Sequence, residues 1–176
     1  VWAGWSLGGL IALLAARRWN GAQRLVLLGA TPRFLTGPGW ESALPAQQFA
    51  DFRAALRGSR ARLDRRLAML CAKGSTDAST LAGQLRRMLQ AEPAATVAME
   101  AGLDMLEGMD LRSVWRGLQC PVAARLGTAD ALVPVAVADA LLAMRPDARV
   151  YRAAGGHASW WREPEALARF LREETS

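Results

Sequence analysis

The 176-residue chain predicts an α/β fold in which a parallel sheet carries an inserted cap of helices. Two observations lead to this prediction. Short apolar, β-compatible segments alternate with helix-forming segments towards both ends of the chain, a pattern typical of a parallel sheet covered by helices. Between them, residues 46–108 place apolar side chains at three- and four-residue steps, which predicts consecutive helices. With 52% hydrophobic residues, the chain can bury a sizeable core.

The first predicted strand runs into a helix at a sharp turn. Residues 1–4 are apolar and β-compatible, whereas residues 7–16 are apolar helix formers, so the chain must turn between them. Gly4, Ser6 and Gly8 spell the pattern G-x-S-x-G, in which small neighbours let strand and helix approach closely while the central backbone is strained. A serine at this position presents its hydroxyl beside the positive end of a helix dipole.

The remaining elements are predicted from the same two periodicities. Further strands are predicted at residues 24–29, 120–126 and 148–153, and C-terminal helices at residues 134–144 and 164–173. Within the helical block, Gly74 and Pro93 are expected to end helices. The predicted sheet domain therefore comprises residues 1–31 and 112–176, and the predicted helical cap, or lid, comprises residues 32–111.

Composition and charge narrow the candidate functions and partners. The net charge of +6 favours acidic partners. No recognisable nucleic-acid-binding motif accompanies that charge, so nucleic acid ranks last among the candidates. No apolar run is long enough to span a membrane. Cys71 and Cys120 are expected to be reduced core thiols of a cytoplasmic protein, with a disulfide as the alternative. We also expect a monomer.

The start of the chain leads to a separate expectation. The sequence begins without methionine, directly in a segment with the composition of an interior strand. In doubly wound α/β sheets such a strand normally has neighbours on both sides. We therefore expect the chain to be N-terminally truncated and to lack the strands that precede this one.

Two further polar residues lie where predicted strands end. Asp130 follows the strand at residues 120–126, and His157 follows the strand at residues 148–153. Because the carboxyl ends of parallel strands share one edge of a sheet, Ser6, Asp130 and His157 can converge there. A serine hydroxyl needs a base to accept its proton, and the base needs a carboxylate that orients it and stabilises the imidazolium. The sequence therefore predicts a Ser6–His157–Asp130 catalytic triad.

Each of these residues also has an ordinary structural interpretation. G-x-S-x-G alone is a weak motif, and its place between a strand and a helix is what strengthens it. His157 is the only histidine, so no other imidazole can act as the base and a multi-histidine metal site is excluded. Asp104, Asp110 and Asp139 compete with Asp130, but only Asp130 follows a strand in the required order. No metal or organic cofactor is predicted.

The segments that carry these residues resemble those of the α/β-hydrolases. They are Gly4-Trp-Ser-Leu-Gly-Gly9, Leu126-Gly-Thr-Ala-Asp130 and His157-Ala158. Over essentially its whole length the chain resembles, more closely, the pimeloyl-acyl-carrier-protein methyl ester esterases of biotin synthesis. Thr31-Pro-Arg-Phe34 and residues 103–111 add to this narrower likeness. The resemblance implies that the predicted sheet is the C-terminal part of an α/β-hydrolase sheet.

The resemblance also implies an activity and residue roles. The enzyme would remove the methyl group from a pimeloyl chain carried on acyl carrier protein. Ser6 would attack the ester carbonyl, His157 would take its proton, and Asp130 would orient His157. The backbone N–H of Leu7 would donate to the oxyanion. The substrate-binding residues that the resemblance implies are Trp5, Leu7, Phe34 and Leu67.

The predicted cap is rich in arginine near its start. The arginines of this stretch are Arg53, Arg57, Arg60, Arg62, Arg65 and Arg66. Arg62 and Arg66 are one helical turn apart and share a face. One interpretation is a solvated helix face. The other, which the resemblance supports for Arg62 and Arg66, is a docking patch for acidic acyl carrier protein, because guanidinium groups bind carboxylates and phosphates.

Two other functions are compatible with these features. A different serine hydrolase of the same fold, such as a small-molecule carboxylesterase, a lactonase, a thioesterase or a haloperoxidase, would use the same triad on another substrate. An inactive fragment that acts as a binding module would keep the fold without turnover. Loss of turnover in Ser6→Ala would separate the enzymes from the binding module.

Overall fold

A computed structural model describes residues 1–19, 22–91 and 95–175, with side chains for all of these except residues 55–58 and 175. Four parallel strands form one sheet in the order β1-β2-β3-β4. They are β1 (Trp2–Trp5), β2 (Leu25–Leu28), β3 (Val122–Gly127) and β4 (Arg149–Ala153). The helices are α1 (Leu7–Arg18), α2 (Ala46–Gly58), α3 (Arg60–Ala72), α4 (Ala78–Ala91), α5 (Thr96–Gly108), α6 (Arg112–Gly117), α7 (Val137–Met144) and α8 (Pro164–Thr175). The predicted α/β class is confirmed.

The centre of the sheet is covered on both faces. All four residues of β2 are buried, because helix α1 packs on one face and α8 on the other. The side chains of Leu25 and Leu27 join the large core, whereas Val26 and Leu28 pack with Phe170 of α8. A strand buried on both faces carries a continuous apolar sequence, which is why β2 is recognisable from sequence alone.

The chain leaves the sheet domain before helices α2–α5 and returns to it after them at the same place. The Leu111 N–H donates to the Pro32 carbonyl over 2.8 Å. Beside it, the Asp110 carboxylate accepts hydrogen bonds from Arg33 and Arg112, each at 2.6 Å. The hydrogen bonds from Arg112 and then from Arg33 hold the pKa of Asp110 well below its usual range. These contacts lie at the boundaries that the sequence predicts for the cap.

Some element boundaries differ from the prediction. The predicted helix at residues 134–144 begins at Val137, after a turn in which the Val137 N–H donates to the Pro134 carbonyl. The short helix α6 was not predicted, because six residues carry too little periodicity. Gly74 does follow the end of α3, with φ of 86°. Pro93 lies outside the described residues.

Glu174 anchors the C-terminal helix α8 to the sheet. Its carboxylate is buried and accepts a 2.5 Å hydrogen bond from the Tyr151 hydroxyl. Arg24 and Arg149 donate to the same carboxylate at 3.3 and 3.4 Å. The hydrogen bond to Glu174 raises the pKa of Tyr151, because a phenolate there would face a carboxylate.

The structure also answers two expectations drawn from composition. Cys71 and Cys120 are both buried and free, so the alternative of a disulfide between them is wrong. None of the described helices is long and apolar enough to cross a membrane.

Candidate active site

Ser6 occupies the sharp turn between β1 and α1. Its φ of 55° and ψ of −125° make it the one non-glycine residue with positive φ among the described residues. A Cβ on Gly4 would overlap with the Gly8 carbonyl, and a Cβ on Gly9 would overlap with the Ala30 methyl group. Gly4 and Gly9 are therefore required by the close approach of neighbouring segments, whereas a Cβ on Gly8 would meet no atom within 4 Å.

Asp130 and His157 form a buried hydrogen-bonded pair at the ends of β3 and β4. Asp130 Oδ2 lies 2.8 Å from His157 Nδ1, and both side chains are almost fully buried. Asp130 Oδ1 accepts the N–H groups of Leu132 and Val133 at 2.8 and 2.9 Å, which orients the carboxylate. Because an ionised carboxylate can only accept, Nδ1 is the donor in this hydrogen bond, and in a neutral imidazole of this tautomer the lone pair is on Nε2.

Ser6 and this pair both contact the end of β2. The Ser6 N–H donates to the Leu28 carbonyl over 3.0 Å. The next residue, Gly29, has φ of 49°, and a Cβ there would lie 3.1 Å from His157 Nδ1 and 3.5 Å from Asp130 Oδ2. A single turn at the end of β2 thus contacts both the serine turn and the His157–Asp130 pair.

Trp5 holds the His157 loop from the side of β1. Its indole Nε1 donates to the His157 carbonyl over 3.0 Å, and the two rings lie 5.3 Å apart. Trp160 packs edge-on against the far side of the Trp5 ring at 5.3 Å. Trp5 is therefore placed to support the backbone and ring of His157.

A mainly apolar cavity of about 170 Å³ opens on Ser6. Its walls come largely from the cap, and its lining residues are Phe34, Leu44, Gln48, Phe49, Asp51, Phe52, Arg66, Leu67, Leu70, Leu106, Ala131 and Leu132 together with Ser6. A cavity of this character suits an extended aliphatic chain whose reactive end reaches the serine.

Of the four residues that the resemblance assigns to substrate binding, two have side chains that line the cavity and two do not. Phe34 and Leu67 lie in the cavity wall. Trp5 is not among the lining residues, because its ring is turned towards His157. The Leu7 side chain is not among them either, since it lies against Gly102 of α5. The Leu7 amide is the first of α1, where N–H groups have no acceptor within the helix.

Two arginines of the predicted docking patch are paired within the cap. Arg53 donates to Asp104 and, over 2.6 Å, to Glu107, both on α5. Arg60 pairs with Asp64 of its own helix over 2.6 Å, and the Asp64 side chain is buried. Arg53 therefore joins α2 to α5, whereas Arg60 is paired within α3.

The other arginines of the stretch lie on the exposed face of α3. Arg62, Arg65 and Arg66 are exposed and form no ion pair within the part of the chain that the structure describes. Arg66 also lies at the cavity that contains Ser6. The Arg57 side chain lies outside the described residues. The predicted pair, Arg62 and Arg66, thus remains available on the surface near the cavity.

Several glycines at the site were not singled out by sequence reasoning. Gly29 leaves room for the His157–Asp130 pair, and Gly156, directly before His157, lies against the Lys73 carbonyl of the cap. The available signal was a glycine at, or within three residues of, the end of a predicted strand. Among the described residues, no group of three or more His, Cys, Asp or Glu side chains could hold a metal ion.

Comparison with known families agrees with this geometry. A model described as the alpha/beta hydrolase family matches residues 1–170. This chain belongs to the alpha/beta hydrolase family. The predicted family is therefore confirmed, and the Ser6 turn and the buried His157–Asp130 pair lie within the matched region of the hydrolase.

Curated relatives of the hydrolase have esterase names. A pimeloyl-[acyl-carrier protein] methyl ester esterase of Xanthomonas axonopodis pv. citri is 41% identical over 179 residues, covering 97% of this chain and 70% of the relative. An esterase of the same name from Methylococcus capsulatus is 40% identical over 148 residues, covering 82% of this chain and 57% of the relative. These names agree with the predicted class, a carboxylic ester hydrolase.

Solved structures share the fold of the hydrolase. An esterase from Exiguobacterium antarcticum matches with a TM-score of 0.84 at 19% identity, and a bromoperoxidase from Bacillus anthracis matches with a TM-score of 0.78 at 18% identity. Each match covers 97% of this chain, which spans 64% and 66% of the two solved chains. At such identities the likeness shows the fold alone.

Proposed function

We propose that this hydrolase is a serine esterase that cleaves the methyl ester of a pimeloyl chain carried on acyl carrier protein. The observation that carries the proposal is the strained Ser6 in the wall of an apolar cavity, together with the buried His157–Asp130 pair that contacts the same turn at the end of β2. Relatives about 40% identical, named for this reaction, support the choice of substrate.

The proposed reaction proceeds through an acyl-enzyme. Ser6 Oγ attacks the ester carbonyl while His157 Nε2 takes its proton, forming a tetrahedral intermediate. The intermediate collapses when His157 returns the proton to the methoxy oxygen, which leaves as methanol. Water then attacks the acyl-enzyme, with His157 again as the base, to give the free acid and Ser6.

Asp130 and Leu7 stabilise the charges that develop. The 2.8 Å contact with Asp130 Oδ2 keeps the His157 proton on Nδ1 and stabilises the imidazolium. The Leu7 N–H at the start of α1 donates to the oxyanion. A donor of this kind contributes about 3–4 kcal/mol to transition-state stabilisation in hydrolases.

The cap binds the remainder of the substrate. Phe34 and Leu67 pack against the pimeloyl chain, whose methyl ester end lies at Ser6. Arg62 and Arg66 bind acidic groups of the carrier protein outside the cavity. The exposed position of both arginines, and the place of Arg66 at the cavity, support this role. The monomeric state and the cytoplasmic location remain predictions.

The experiment compares two esters. Turnover of methyl-pimeloyl acyl carrier protein and of p-nitrophenyl acetate is measured at low and moderate salt, with Ser6→Ala as the inactive control. We expect kcat/KM to be higher for the carrier-bound ester, and this preference to shrink as salt screens the arginine contacts. Methanol release identifies the bond that is broken.

Charge reversal tests the docking patch. Arg62→Glu should raise KM for the carrier-bound ester without changing turnover of p-nitrophenyl acetate. Arg66→Glu should raise the same KM, and because Arg66 lines the cavity its effect on the small ester is measured alongside. Arg116→Glu is the matched control, because it makes the same charge change on the exposed surface of α6. Equal effects of all three variants would reject the docking patch, and turnover in Ser6→Ala equal to the parent would reject the esterase mechanism.

A further inference from the structure

The cap contacts the active-site loops through the C-terminal end of α3 and the two residues after it, Cys71–Gly74. The Ala158 N–H, next to His157, donates to the Cys71 carbonyl over 2.9 Å. A Cβ on Gly156 would overlap with the Lys73 carbonyl. The backbone before and after His157 is therefore packed directly against this end of α3.

The same end of α3 also reaches the loop that carries Asp130. A Cβ on Gly74, whose φ is 86°, would lie 2.5 Å from the Ala129 methyl carbon and 2.7 Å from the Ala129 carbonyl oxygen. The Asp130 loop is in turn tied to the His157 loop, because the Ala129 N–H donates to the Gly155 carbonyl over 2.9 Å. Three segments that are far apart in sequence meet here without space for another carbon atom.

The Cys71 thiol lies in the same region. Burial, with a smaller contribution from the charge of Asp130, raises the pKa of the Cys71 thiol to about 12. The thiol is thus a neutral neighbour of the catalytic carboxylate. The Cys71 thiol therefore adds no charge beside the His157–Asp130 pair.

Helix α3 also forms part of the substrate cavity. Arg66, Leu67 and Leu70 line the cavity that opens on Ser6 and lie within the five residues before Cys71. One helix therefore contacts the substrate space with its middle and the two catalytic loops with its end. Because packed interiors deform little, a displacement of α3 is transmitted to those loops.

We propose that residues Cys71–Gly74 are a positioning element that sets the geometry of His157 and Asp130. Gly74 of this element and Gly156 of the facing His157 loop are the positioning residues. The catalytic part of this inference rests on the proposed esterase function. The tight contacts keep His157 Nδ1 within hydrogen-bond distance of Asp130, so the cap contributes to the catalytic geometry as well as to substrate binding.

The test displaces or loosens this contact. Gly156→Ala places a methyl group against the Lys73 carbonyl and should move the His157 loop, whereas Ala129→Gly removes the methyl group that faces Gly74 and adds no atom. Gly117→Ala is the matched control, because a Cβ on Gly117 meets no atom within 4 Å. Each variant is assayed with p-nitrophenyl acetate after titration of its active sites, and its thermal midpoint is recorded.

The second readout is the NMR signal of the histidine. Because His157 is the only histidine, the downfield resonance of its Nδ1 proton reports the contact with Asp130 without ambiguity. In Gly156→Ala we expect this resonance to shift or vanish. We expect kcat per active site to fall about 100-fold, which is the loss expected when a catalytic group is misplaced by about 1 Å. KM should change less than about twofold.

The outcomes separate positioning from stability. Ala129→Gly should show smaller changes in the resonance and in kcat, in the same direction as Gly156→Ala. If Gly156→Ala does not fold, Ala129→Gly alone tests whether the end of α3 positions His157. The proposal would be overturned if Gly156→Ala and Ala129→Gly lowered the thermal midpoint but kept the same resonance and the same kcat as the control Gly117→Ala. If the parent protein cleaves no ester, the proposed function fails, and the resonance still decides whether the end of α3 positions His157.

Discussion

The backbone strain at Ser6 leads to a prediction about stability that does not depend on the substrate. We compare Ser6→Ala with Ser6→Gly, two variants that both lack the hydroxyl. Ser6→Ala keeps a Cβ at φ of 55° and ψ of −125°, whereas Ser6→Gly removes it. The difference in unfolding free energy between them therefore measures the strain of the turn.

The expected magnitude is the difference of two contributions. Holding a residue with a Cβ in this region of φ and ψ costs roughly 1–3 kcal/mol. Glycine loses more conformational freedom on folding than alanine, which costs about 0.5–1 kcal/mol. Ser6→Gly should therefore be more stable than Ser6→Ala by about 1 kcal/mol, or about 2–4 °C in Tm for a chain of this size.

Urea denaturation and thermal unfolding of both variants measure this difference. Ser79, an exposed residue of α4, serves as the control. The Ser79→Gly protein should be less stable than the Ser79→Ala protein, because glycine destabilises a helix relative to alanine. The prediction of a strained turn is refuted if Ser6→Gly and Ser6→Ala are equally stable. It is also refuted if the glycine variant is the less stable of the two, as expected at Ser79.

Three further predictions concern other parts of the molecule. Gly9→Ala should lower the free energy of unfolding by about 1–3 kcal/mol, because its methyl group would overlap with Ala30, and Ala30→Gly in the same chain should restore part of the loss in a denaturation experiment. Glu174→Gln should lower the pKa of Tyr151, because a phenolate would no longer face a carboxylate. Since Tyr151 is the only tyrosine, the absorbance of its phenolate follows this titration directly, and an unchanged pKa would contradict the contact. Leu67→Trp should narrow the cavity and reduce kcat/KM for p-nitrophenyl hexanoate more than for p-nitrophenyl acetate. Equal losses for the two esters would argue against a contact between Leu67 and the acyl chain of the substrate.

Much of the fold was predictable because it depends on local patterns. The four leucine and valine residues of β2 are continuous in sequence, and burial on both faces of a sheet requires such a run. Gly74 follows α3 in a left-handed conformation that favours glycine. Asp130 and His157 each follow a strand, and the parallel sheet brings such positions to one edge.

Other features depend on contacts between segments that are distant in sequence. The break between α2 and α3 lies at Ser59, inside a stretch that continues the helical periodicity, and α6 is too short to leave a pattern. Trp5 was expected to line the substrate cavity, yet its indole hydrogen-bonds to the carbonyl of His157, 152 residues away. Arg53 was grouped with exposed arginines, although it pairs with residues of α5.

The sequence by itself determined the class of fold, the positions of the strands and the residues from which a triad could be built. Hydrophobic periodicity, glycine at tight turns and the order of Ser6, Asp130 and His157 are all encoded within short windows. Only the tertiary structure decided which residues support that geometry. Gly29, Gly74 and Gly156 matter because another segment lies where a side chain would be, and no local pattern records how closely two remote segments approach.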